Sequence, residues 1–75
     1  MNDKRRKRLR EAVKMLDHAW SIVELAQEEE EDGMDNMPEN LQGSERYEKM
    51  EEAADALSDA MEKIGEAMEQ IRVAI

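Results

Sequence analysis

The chain has no cysteine and no phenylalanine, a single proline at position 38, three glycines, one tryptophan and one tyrosine. Without cysteine there is no disulfide framework and no thiolate metal site, and a zinc resting on the lone His18 and carboxylates is chemically implausible. No metal and no cofactor are therefore expected. No run approaches the ~20 apolar residues of a membrane span, so no membrane partner is expected. The segment after the basic run at residues 4–8 is Leu9-Arg10-Glu11-Ala12-Val13-Lys14, too charged for the apolar core of a signal peptide. A soluble protein acting in the cytoplasm is the expectation.

Positive charge is also scarce. Twenty Asp and Glu stand against 11 Lys and Arg, a net charge of -9, which argues against nucleic-acid binding over the whole surface because phosphate contacts need a positive footprint. The one local basic patch is Lys4-Arg5-Arg6-Lys7-Arg8. With 75 residues there is room for one domain, and a chain so short buries too little surface to be comfortable as an isolated helix pair. Lacking disulfides and metal, it is expected to self-associate.

What the sequence does have is helical periodicity. From about Asp3 to about Glu30 there is no Gly or Pro, and Leu9, Val13, Leu16, Trp20 and Val23 recur in alternating steps of four and three. A second stripe, Ala12, Met15, Ala19, Ile22 and Ala26, widens the apolar surface beyond what one neighbouring helix covers, so a second neighbour from another chain is implied. Asn2 or Asp3 is an acceptable N-cap. The cationic run sits at the positive end of the helix dipole and the acids at residues 28–32 at its negative end, both unfavourable. Compensation would come from an antiparallel second chain and, within the hairpin, from Glu62, Glu66 and Glu69 of the second helix facing the basic end; the alternative is that both charge runs are solvated and the ends fray.

Gly33 offers a left-handed cap for the first helix. Pro38 pre-sets a turn, Glu39-Asn40-Leu41-Gln42 is long enough for one helical turn, and Gly43 ends it. Met34, Met37 and Leu41 are available to pack the turn down. Ser44 is the expected N-cap of the second helix, with Glu45 and Glu48 in its first turn. Beyond it, Tyr47, Met50, Ala54, Leu57, Met61, Ile64, Met68, Ile71 and Ile75 form a heptad seam. Ala53, Ala56, Ala60, Ala67 and Ala74 lie beside it, a small-residue stripe allowing close helix approach, with Gly65 at a candidate crossing. The expected architecture is all-α: a helix over about 3–31, a turn over about 32–43 and a helix over about 44–74. They form one antiparallel hairpin that self-associates into a four-helix bundle as a dimer, or a higher oligomer.

The string Met37-Pro38-Glu39-Asn40-Leu41-Gln42, then Ser44, Arg46-Tyr47 and Met50-Glu51-Glu52-Ala53, resembles a signature of short helical-hairpin proteins from bacterial phages, prophages and related mobile elements. It spans the turn and the start of the second helix. The resemblance implies an accessory gene acting in a bacterial cytoplasm and brings no activity with it.

The candidate ligand- or partner-binding residues are Asn40, Gln42, Ser44, Arg46 and Tyr47. The first three are neutral hydrogen-bonding groups, Arg46 is a planar donor for phosphate or carboxylate, and Tyr47 offers a ring for stacking. Together they suit a small anionic ligand such as a nucleotide, held at a helix start. Each also has a plain structural role: a cap for Ser44, turn backbone for Asn40 and Gln42, pairing with residues 28–31 for Arg46, the core stripe for Tyr47. Glu28-Glu29-x-x-Asp32 followed by Glu52-x-x-Asp55 is similar to the Mg²⁺-binding acids of all-α nucleoside-triphosphate pyrophosphohydrolases. The first half ends in Asp where that family has Glu, and Glu52 and Asp55 should point away from the hairpin interior. No catalytic residue is expected.

The favoured function is therefore a non-catalytic oligomeric accessory protein that binds its target stoichiometrically, for instance to inhibit a host protein. One alternative is an anti-defence sponge that sequesters a nucleotide signal between subunits. Another is a structural accessory protein whose basic N-terminus touches DNA weakly.

Overall fold

Asn2 starts the first helix. In the computed structural model, which describes every residue from Met1 to Ile75, its side-chain oxygen accepts the Arg5 backbone N–H at 2.9 Å. That satisfies one of the donors a helix start leaves free. Helix α1 then runs Asp3–Asp35. It continues past the expected end near residue 31 because the three-and-four spacing does not stop there: Gln27, Glu30 and Met34 extend the line of Leu16, Trp20 and Val23, and all six are half-buried.

Gly33 is consequently not a left-handed cap. No glycine in the chain has a positive φ, and Gly33 lies inside α1. The helix stops at Asn36, a right-handed cap at φ -88°, ψ -4°. Its N–H donates to the Asp32 carbonyl at 3.0 Å. The terminus carries no basic residue in its last turn, so nothing on the helix itself offsets Asp32 and Asp35 there.

The connection spans nine residues, 36–44. A single 3-10 turn, η1, covers Glu39–Leu41 after Pro38, one residue shorter than the helical turn expected over residues 39–42. The Met37 N–H donates to the Met34 carbonyl at 3.1 Å and the Leu41 N–H to the Pro38 carbonyl at 2.8 Å, so the turn is tied largely by its own backbone. Met34 and Met37 are half-buried as expected, whereas Leu41 is 46% exposed and ties nothing down. Ser44 caps helix α2, Glu45–Ala74, its hydroxyl accepting the Tyr47 N–H at 3.3 Å.

The two helices pack side by side into a rod whose Cα extents are 59 × 14 × 12 Å. Every seam residue of α2 is at least half-buried, and the two most covered side chains of the molecule, Ala54 and Met68, belong to it. A hairpin can shield only one stripe of each helix, which is why full burial is confined to these two. Within the hairpin nothing approaches Gly65: a Cβ there would meet nothing within 4 Å.

Charge is not matched across the hairpin. The three ion pairs, Asp3–Arg6, Glu45–Lys49 and Glu69–Arg72, each lie within one helix. The basic end of α1 was expected to meet Glu62, Glu66 and Glu69 of α2. No such pair forms, because those three carboxylates are exposed, outside the seam where the helices meet.

Candidate functional site

Ten residues after the start of the turn, the chain opens a groove at the turn end of the rod. Glu30 of α1 and Glu45, Arg46, Lys49, Met50 and Ala53 of α2 line an open space of about 540 Å³. Its position follows from the pattern. Arg46 and Ala53 are a heptad apart on the α2 alanine line, and Glu30 stands one helical turn beyond Ala26 on α1. The groove is where the small-residue flank of the hairpin gives way to longer side chains.

Its chemistry is balanced rather than anion-selective. Arg46 and Lys49 supply two cations and Glu30 and Glu45 two carboxylates. Lys49 reaches Glu45 at 3.3 Å, with both side chains more than 70% exposed, so the pair holds each in place only weakly. Arg46 has no ion-pair partner among residues 28–31, although pairing with that acidic run was its plain structural role.

The five candidate residues are only partly brought together. Arg46 lines the groove. Tyr47, next in the chain, is half-buried in the seam. The Ser44 hydroxyl is engaged as a cap. Asn40 and Gln42 are exposed on the turn, where neither side chain makes a hydrogen bond within the chain. Glu30, Glu45, Lys49, Met50 and Ala53 were not among the candidate binding residues. The usable signal was the heptad line that joins Arg46 to Ala53.

The acids that resemble a pyrophosphohydrolase set do not converge. Glu28, Glu29, Asp32, Glu52 and Asp55 are all exposed, and no group of three or more His, Asp or Glu is placed to hold a metal ion. His18 is exposed on α1. No helix is long and apolar enough to cross a membrane. Comparison with protein-family models, with curated proteins and with solved structures found no match.

The larger chemical feature is the acidity around the groove. Residues 28–52 hold eleven carboxylates against Arg46 and Lys49. Ten of the eleven are exposed, Glu30 being half-buried, and Glu45 alone is in an ion pair. At the opposite end, residues 1–10 hold six cations against Asp3. The rod is thus electrically polar along its length.

Proposed function

We propose that this chain is a non-catalytic accessory protein of a phage or mobile element that works as a homo-oligomer and binds a basic surface of a host protein stoichiometrically with its turn end. The observation that supports this reading is the concentration of exposed carboxylates at residues 28–52. Such a surface attracts a cationic partner over about a Debye length, ~8–10 Å at physiological salt. The setting, a bacterial cytoplasm, rests on the resemblance of the Pro38-to-Ala53 string.

The test is native mass spectrometry of the protein recovered from a bacterial lysate, beside a variant carrying Glu28→Gln, Glu29→Gln, Glu31→Gln and Asp32→Asn. A protein partner of defined stoichiometry, lost in the variant and at raised salt, is the expected result. A partner held equally by the variant would sink the acidic-end reading.

A second reading rests on Arg46, the one candidate residue that lines the groove: a nucleotide sponge with its ligand between subunits. It predicts a bound mass of a few hundred daltons that disappears in Arg46→Ala and Tyr47→Ala but survives neutralisation of residues 28–32. Weak DNA contact through Lys4–Arg8 is the third reading, and duplex binding that falls steeply with salt would support it.

A further inference from the structure

One long face of the hairpin is lined by small residues that the hairpin covers only in part. Ala12, Ala19, Ala26 and Gly33 repeat every seven residues on α1, and Ala53, Ala60, Ala67 and Ala74 do the same on α2. Each line immediately precedes a seam residue, so both occupy the same heptad position. In an antiparallel pair such positions face the same side of the hairpin. At the margin of this face Met15 and Ile22 are left 65% and 56% exposed. The opposite side carries Asp17, Glu24 and Glu31 on α1 and Glu51, Ser58 and Arg72 on α2. Only one face is therefore suited to burial.

We infer that the occupant of this face is a second copy of the same chain, packed antiparallel so that the basic end of each hairpin lies over the acidic turn end of the other. The inference deepens the self-association in the proposed function by naming its surface and orientation.

Charge decides the occupant and the direction. Arg5 and Arg8, on or beside this face, have no ion-pair partner in their own chain, and neither do Glu29 and Glu30; the other cations of residues 4–10 and carboxylates of residues 28–32 lie off the face and act at longer range. A parallel pair would set eleven carboxylates beside eleven, whereas an antiparallel pair sets each acidic end against a basic one.

Geometry supplies the register. Gly33 stands level with Met50. Two heptads down each helix, Ala19 is level with Ile64, which lies between Ala60 and Ala67. A twofold axis across the rod at this level brings Ala19 to Ala19, Ala12 to Ala26, Ala60 to Ala67 and Ala53 to Ala74. Small residues meet small residues throughout, and the helices can approach closely. The same operation places Arg8 of one copy level with Glu30 of the other, and Arg5 level with Gly33. Arg5 and Arg8 line an open groove with Met1 and Leu9, so they lie on the face that is covered.

The rod is 59 Å long and 14 Å across, a long face along which a second copy can lie. In this register Met1 of the second copy is about level with residues 37 and 46, so residues 38–45 of both turns stay open at opposite ends of the dimer.

The absence of native cysteine makes the test direct. Sedimentation of the full chain across the micromolar range should give a dimer. Ala19→Cys should oxidise to a covalent dimer in near-complete yield, and denaturant applied before oxidation should abolish it. Ala12→Cys alone should not crosslink, since two copies of it are separated by fourteen residues of helix, about 21 Å, far beyond the ~7 Å Cα reach of a disulfide. Mixed with Ala26→Cys it should give the heterodimer.

A monomer at all concentrations overturns the inference. So does crosslinking of Ala19→Cys to Ala60→Cys chains with none between Ala19→Cys copies, which means parallel hairpins. The outcome is separable from the proposed function: a crosslinked antiparallel dimer that captures no partner ends that function and leaves this interface standing.

Discussion

A Cβ placed on Gly33 would stand 2.6 Å from the terminal methyl of Met50. The glycine sits in helix, with no positive φ, so its role is to admit the Met50 side chain where the helices converge at the turn end. The obstructing atom is the mobile end of a flexible side chain, which can turn aside at small cost.

Gly33→Ala should therefore be tolerated. The gain in helix propensity, about 0.5–1 kcal/mol, offsets the displacement of one methyl group, leaving stability within a few tenths of the parent. Gly33→Val brings a branched Cβ that Met50 cannot clear, and should lower the melting temperature. Thermal unfolding by circular dichroism separates the two; equal losses for both would mean the site has no slack.

Gly65→Ala should raise stability by about 0.5–1 kcal/mol. The site is helical, its φ is not positive and a Cβ would meet nothing within 4 Å. A decrease in urea midpoint would mean that another chain approaches the hairpin at Gly65.

Ser44→Ala removes the acceptor for the Tyr47 N–H and should cost about 1 kcal/mol. Ser44→Asp should keep most of the stability, because a carboxylate oxygen can accept the same bond and suits the helix N-terminus. If both variants match the parent in chemical denaturation, the cap is not contributing.

Met68→Ala empties the most covered large side chain, 7% exposed. The loss expected is about 2–3 kcal/mol, at the lower end of the range for core truncations, and is a large fraction of what a small domain has. Met68→Leu, nearly the same volume, should cost under about 1.5 kcal/mol. Equilibrium unfolding of the two variants side by side gives the comparison.

Asp35→Lys should stabilise α1 by about 0.3–1 kcal/mol, since it replaces an acid by a base in a last turn that has none. A gain in helix stability together with weakened partner capture would show that the acids are kept at this terminus against the interest of the fold. No change in either would point to a solvated end that fulfils no role.

The two helices were legible because their signals are local and repeated. Asn2 and Ser44 act as caps, and the lines through Leu16 and Trp20 and through Leu57 and Ile64 form the seam, as a heptad requires. The end of α1 was misjudged because Gly33 has two uses, a left-handed cap or a close approach. Its identity alone does not separate them; the Met50 side chain does. The turn-end groove was read only through Arg46, since the pairing of Glu30 with Ala53 joins positions twenty-three residues apart.

By itself the sequence determined the two helices, their caps, the seam they share and the separation of charge along the rod, because each depends on near neighbours in the chain and on the period of the helix. Only the tertiary structure decided where α1 stops, which side chains share the turn-end groove, and that the cations of residues 4–10 find no partner on α2. Those depend on how far one helix slides and rotates against the other. That displacement is set by the packing of residues such as Gly33 and Met50, which are distant in the chain and meet only once it has folded.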